Sequence, residues 1–130
     1  DAKRLKALFC SHDAFLLASP EHNGSITTAL KNAIDWVSRS TDGEPPLALT
    51  GIRGKVAGLM SASPSPFGGL RSLSHLRQIL TTVQTLVVTE QVSVTFAHIA
   101  FEGPELIDSL PNQLLPLLAK RVVQLAKVSA

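Results

Sequence analysis

Apolar residues alternate along this chain between two rhythms, a helical stripe and a short unbroken run. The first ten residues put Ala2, Leu5, Leu8 and Phe9 on one stripe, with Lys3, Arg4 and Lys6 off it. That spacing predicts a helix with a solvated basic face. No capping residue has room ahead of it, so the segment is expected to be the last turns of a helix that begins upstream. Ser11-His12-Asp13 breaks the pattern, and Ala14-Phe15-Leu16-Leu17-Ala18 follows as an unalternating apolar run. Such a run suits a strand buried on both faces, as in a parallel sheet. Ser19-Pro20-Glu21-His22-Asn23-Gly24-Ser25 is a loop by its Pro, Asn and Gly content. Leu30, Ala33, Ile34 and Val37 then fall at i, i+3, i+4 and i+7, which predicts a helix capped by Ser25 or Thr27.

The rhythm repeats after a Pro- and Gly-bearing connector over residues 41–53. Residues 55–62 are a second strand, apolar on both faces. The loop Ser63-Pro64-Ser65-Pro66-Phe67-Gly68-Gly69 opens a helix with Leu73, Leu76, Ile79, Leu80 and Val83 on its stripe. Leu86-Val87-Val88 is the third strand, which residues 92–96 continue or extend. Residues 104–127 close the chain as a helix carrying Leu106, Leu110, Leu114, Leu117, Leu118, Val122 and Leu125. Pro111 and Pro116 are expected at a break or in a first turn, which places the proper start of this helix near Asn112 or later. The alternation of helix and strand predicts an α/β architecture with a parallel sheet covered on both faces. In such sheets ligands bind outside the carboxyl ends of the strands. Both unusual loops, after Ala18 and after Ala62, lie there.

Composition narrows the picture. With 130 residues, 45% of them apolar and 17% charged, the chain is one domain with a real core and is not intrinsically disordered. Cys10 is the only cysteine, which excludes a disulfide scaffold. No apolar run approaches the ~20 residues of a membrane span, and no secretory signal is visible. A reducing cytoplasm is the expected compartment, with no membrane partner. The net charge of +2 is scattered, so no nucleic-acid partner is expected.

Other candidate chemistry is thin. His98 and Glu102 are four apart and His12 adjoins Asp13, yet no third ligand stands at a coordinating spacing, so no metal site is expected. A Gly-x-Ser-x-Gly elbow is missing. Cys10 at a helix C-terminus reads as a buried or half-buried structural cysteine, and Trp36 and His75 read as packing or interface residues. The two loops offer backbone N–H groups at helix N-termini, a place for an acceptor-rich ligand.

Together the motifs are more specific. Ser19-Pro20-Glu21-His22-Asn23-Gly24-Ser25, the run Leu30-Lys31-Asn32-Ala33-Ile34-Asp35-Trp36, then Gly54-Lys55, Ser63-Pro64, Phe67-Gly68-Gly69 and His75-Leu76-Arg77-Gln78 occur in order. From about residue 7 to residue 101 the chain resembles the NADPH-dependent FMN reductase family, flavodoxin-like proteins that include quinone, chromate and azo-compound reductases. The resemblance implies a flavodoxin-like three-layer α/β/α sandwich in which FMN takes a hydride from NADPH or NADH and passes electrons to a small-molecule acceptor such as a quinone. It also implies that Pro20, Glu21, His22 and Asn23 hold the isoalloxazine, mainly through backbone groups. Ser63 would add a contact, and Phe67, Gly68 and Gly69 would support the ring. No side chain need be a general base, so no catalytic residue is assigned. No arginine marks a preference for NADPH over NADH. The Leu-Lys-Asn and His-Leu-Arg-Gln helices would form homodimer or homotetramer contacts, with Arg71 pairing to a carboxylate of another subunit.

Three departures qualify the resemblance. His22 stands where tyrosine is usual, which is expected to leave a smaller aromatic face near the flavin. Ser65 stands where glycine is common, which is expected to oppose a positive φ there. The family's first strand and phosphate-cradling loop have no counterpart, so the chain is expected to be a single partial domain over residues 1–130 that binds FMN weakly by itself. The alternative is a non-catalytic flavodoxin-like fragment with an oligomerisation or binding role.

Overall fold

The three apolar runs lie side by side. In the computed structural model, β1 (Ala14–Ala18), β2 (Val56–Ala62) and β3 (Leu86–Val94) form a parallel sheet in the order β1-β2-β3, with Ala14 opposite Val56 and Val56 opposite Leu86. Residues 2–41 and 43–129 are described; Asp1, at the head of the first predicted helix, Asp42, in the connector, and Ala130 lie outside them. On one face of the sheet sit α1 (Ala2–Cys10), α2 (Thr28–Val37) and α3 (Leu70–Thr82). Their core joins Ile34, Val37, Leu73, Leu76 and Leu80 to Ala57 and Leu59 of β2. The other face is closed by α5 (Ser109–Ser129), which sets Leu118 and Val122 against Val56, Val88 and Val92. Between β3 and α5 lie a single turn, α4 (Ala97–Ala100), and a two-stranded hairpin of β4 (Phe101–Glu102) and β5 (Glu105–Leu106). This is the α/β layering expected from the alternation of elements, and the flavodoxin-like sandwich that the resemblance implies.

Local chemistry settles what periodicity left open. Thr27, not Ser25, caps α2, its Oγ1 accepting the Leu30 amide at 3.1 Å. Residues 92–94 continue β3, but the register slips: Ala57 faces Val87, whereas Leu59 faces Gln91. Arg77 fills that irregularity, donating to the Val88 carbonyl at 2.8 Å and to Gln91 Oε1 at 3.1 Å. Glu90, thrown outward by it, accepts from Arg121 Nε of α5 at 2.7 Å.

Three expectations need correction. The closing helix starts at Ser109, ahead of Asn112, and runs through Pro116. Asp108 supports that start, its Oδ1 accepting the Leu110 amide at 3.3 Å. Pro111 sits in the first turn, where its missing N–H costs no intrahelical bond, and Pro116 leaves only the carbonyl of the exposed Asn112 without a helical donor. Secondly, β1 is not buried on both faces. It is the edge of the described sheet, and Leu16 is 50% exposed. Thirdly, Lys6 does not belong to a solvated face. It is 6% exposed, and its ammonium donates to the Arg39 carbonyl at 2.6 Å, to Thr41 Oγ1 at 3.1 Å and to Glu44. A buried ammonium requires such partners. Glu44 also accepts from Thr50 Oγ1 and the Thr41 amide, and these bonds, Lys6 first, hold its carboxyl down at about 2. The connector is thereby tied to α1.

Candidate functional site

The two loops singled out in the sequence leave neighbouring strands at the same carboxyl edge, because β1 and β2 are parallel and adjacent. The first is anchored where the Ser19 amide donates to the Met60 carbonyl at 3.1 Å. It then folds into a tight turn: the His22 amide donates to the Ser25 carbonyl at 2.9 Å, and the Ser25 amide returns to the His22 carbonyl at 3.1 Å. Asn23 and Gly24 take φ of 51° and 81°. Positive φ at both central residues marks a type I′ turn, for which Asn-Gly is the favoured pair. The turn uses the His22 amide for itself. Among the described residues the amides of Glu21, Asn23 and Gly24 carry no hydrogen bond, so they are the donors this loop can offer to a ligand.

The second loop is bonded internally and pinned to the end of β3. The Ser63 amide donates to the Val94 carbonyl at 3.0 Å, while the Ser63 and Ser65 carbonyls accept from the amides of Ala97 and Phe96 at 2.9 and 3.2 Å. Ser63 Oγ accepts the Ser65 amide, and Ser65 Oγ accepts the Phe67 amide. Ser65 is not among the positive-φ residues; Gly68 and Gly69 are, at 56° and 84°. The predicted conflict at Ser65 therefore does not arise, and its hydroxyl braces the loop instead. A Cβ at Gly68 would lie 3.0 Å from the Thr95 nitrogen and the Val94 carbonyl carbon. A Cβ at Gly69 would lie 2.7 Å from Ser61 Cβ and closer still to its Oγ. Ser61 Oγ is itself buried without a hydrogen-bond partner.

Side chains join the loops. Glu21 Oε1 accepts from Arg71 Nε at 2.8 Å and from Arg71 Nη2, and Oε2 accepts the Ser72 amide at 3.4 Å. Arg71 thus has a carboxylate partner within this chain, 50 residues back. The guanidinium holds the Glu21 carboxyl below its ordinary range, against the opposing effect of burial and with help from the Ser72 amide. Arg71 also lies over the Phe67 ring, 5.4 Å from its centroid. Ser25 Oγ pairs with His75 Nδ1 at 2.9 Å. Pro20, His22, Asn23 and Phe67 are exposed around this edge, Ser63 is half-buried, and Gly68 and Gly69 are buried beneath it.

One feature escaped the sequence reading. On the α5 side of the sheet, an apolar cleft of about 510 Å³ opens beside Ser19 and Pro20, lined by Ala18, Met60, Ala62, Val94 and Leu115. Small residues at the strand ends, Ala18 and Ala62, leave this space, but Ala is equally ordinary in a buried strand. No helix of the described residues is long and apolar enough to cross a membrane.

An open parallel sheet, helices on both faces and two ligand-ready loops at its carboxyl edge define a flavodoxin-like α/β protein. The chain belongs to the NADPH-dependent FMN reductase family, whose sequence model matches residues 1–99. An NAD(P)H-dependent FMN reductase of Pseudomonas aeruginosa is 35% identical over 115 residues, covering 87% of this chain and 58% of that protein. A quinone reductase of Escherichia coli is 40% identical over 78 residues, covering 60% of this chain and 38% of that one. Among solved structures, the flavoenzyme NAD(P)H:acceptor oxidoreductase FerB of Paracoccus denitrificans superposes with a TM-score of 0.69 at 25% identity, over 97% of this chain and 65% of that one. The chain spans about half the length of the curated relatives it matches.

The residues present fit the ring end of FMN. The unbonded amides of the first loop can donate to its carbonyl edge, while Gly68 and Gly69 pack the second loop tightly against the end of β3 and Ser61 and so fix its shape beside them. Arg71, the cation between the loops, is committed to Glu21, so these loops supply no evident phosphate cradle.

Proposed function

We propose that this chain contributes the flavin-facing half of an FMN-dependent NAD(P)H oxidoreductase of the quinone-reductase type. The observation that carries the reading is the pair of loops at one sheet edge, with unbonded amides at Glu21 and Asn23 and two glycines at positive φ beneath them. When bound, FMN supplies the redox chemistry, accepting a hydride from a reduced nicotinamide and passing electrons to a small-molecule acceptor. The chain's own part is to bind and orient. Amides held rigid by a type I′ turn polarise the carbonyl edge of the ring and need no reorganisation. Exposed His22 borders the face on which the nicotinamide and the acceptor alternate, and Phe67 supports the second loop. No side chain moves a proton in this scheme.

Exposed Trp36 on α2, with Phe67 and Leu70 near the start of α3, supports a homodimer or homotetramer built on these helices. Cys10 is exposed, not buried or half-buried as its sequence context suggested, and an exposed free thiol supports a reducing, cytoplasmic setting. Supplied with excess FMN, NADPH and a benzoquinone, the chain is expected to oxidise NADPH faster than free FMN does, with a rate that saturates in FMN. A rate no greater than that of free FMN contradicts the reading.

A further inference from the structure

The carboxylate of the first loop turns away from the ligand edge and into the protein. Glu21 has a side chain only 7% exposed, while Arg71 above it is 60% exposed. Its oxygens meet the first turn of α3, taking the Arg71 guanidinium on one and the Ser72 amide on the other. A helix N-terminus presents unpaired amides and a partial positive charge, so a carboxylate is stable there. Here that anion is supplied from within the chain, 50 residues earlier. At the far end of the same turn, Ser25 Oγ is held by His75. Arg71 and His75 are four apart, one turn along a single face of α3. Both ends of the His22–Ser25 turn are therefore tied to one helix, and that helix begins at Gly69 of the second loop.

We infer that Glu21 is a positioning residue: its carboxylate latches the first loop onto the start of α3, so that the two loops present their backbone groups as one rigid unit. The latch follows from the geometry, and its service to FMN rests on the function proposed above. On this view the side chain of Glu21 touches no ligand. Its backbone amide does, and the carboxylate keeps that amide in place. Phe67 completes the arrangement by offering its ring to the guanidinium, which is favourable for a cation at an exposed edge. Nothing in the sequence marks the partnership, since an acidic residue in a loop and an arginine on a helix face are each ordinary at the surface.

Hydrogen–deuterium exchange of the 130-residue chain without flavin reads the latch directly. In Glu21→Ala the amides of His22 and Ser25, bonded to each other's carbonyls across the turn, are expected to exchange about tenfold faster, as befits loss of charge-assisted bonds. The amides of β2 should keep their rate. Glu21→Gln still accepts the Ser72 amide and is expected to fall between, and Arg71→Lys should restore more protection than Arg71→Ala. Turn exchange at the unsubstituted rate overturns the latch. So does equal acceleration throughout the sheet, which signals general loosening; if Glu21→Ala does not fold, Glu21→Gln and Arg71→Lys decide on the same criterion. FMN titration of the same variants tests the service to the ring. Affinity that falls with turn protection supports it, and unchanged affinity beside a loosened turn overturns it. A chain that binds no FMN in any form contradicts the proposed function, and the exchange rates still judge the latch.

Discussion

Gly69→Ala is expected to lower the stability of the chain by about 2–5 kcal/mol, with the strain of a Cβ at positive φ and overpacking of a filled space both contributing. The residue sits at φ 84° as the N-cap of α3, and the added methyl would lie 2.7 Å from Ser61 Cβ and nearer to its Oγ. Ser61 cannot retreat easily, because it belongs to β2, paired on both sides in the sheet. The two costs separate in a double variant. Ser61→Gly removes both atoms in the way, so Ser61→Gly/Gly69→Ala should recover the packing share of the loss and leave the backbone share. Equilibrium urea unfolding of the four proteins in the cycle measures this. A stability for Gly69→Ala within ~0.5 kcal/mol of the unsubstituted chain, the range of an innocuous surface change, would show that the second loop is not built as described.

Gly58→Val is expected to cost about 3 kcal/mol, at the upper end for overpacking a core, and to act on the opposite face of the sheet. A Cβ there would lie 2.7 Å from Val122 Cγ2 and 3.0 Å from both Leu118 Cδ1 and Leu16 Cδ2. Gly58 is thus the point at which α5 comes down onto β2, and a branched side chain would lift the helix away. The effect should spread along α5, since Leu118 and Val122 anchor it against Val56, Val88 and Val92. Urea unfolding gives the magnitude, and faster amide exchange along α5 with α2 unaffected gives the location. Loss of protection at α2 instead would place Gly58 in the other core.

The two effects fall on the two sides of what the sequence makes legible. Element order was readable because each strand is a short apolar run and each helix carries a stripe, signals that depend only on near neighbours. The loops were readable for the same reason: Pro20, Asn23-Gly24 and Gly68-Gly69 are local conformational instructions. What could not be read depends on residues far apart in the chain. Lys6 looks like a solvated cation until Glu44 and the Arg39 carbonyl are brought round it. The pairing of Arg71 with Glu21 becomes visible only once the sheet sets the two loops side by side. The slip between β2 and β3, where Arg77 satisfies the Val88 carbonyl and Gln91, is encoded by no periodicity. Pro116 misleads because its rule concerns a lost bond, and an exposed carbonyl finds water instead.

The central claim is that the loops over residues 19–25 and 63–69 together form one flavin edge. Amide chemical-shift mapping of the isotope-labelled chain during titration with FMN tests it most directly, and it registers binding even when binding is weak. The account predicts the largest shifts at Glu21, Asn23, Ser63, Gly68 and Gly69, moving together along one saturation curve, with α5 unperturbed. Shifts confined to the apolar cleft on the α5 side of the sheet, or none at millimolar FMN, would contradict it.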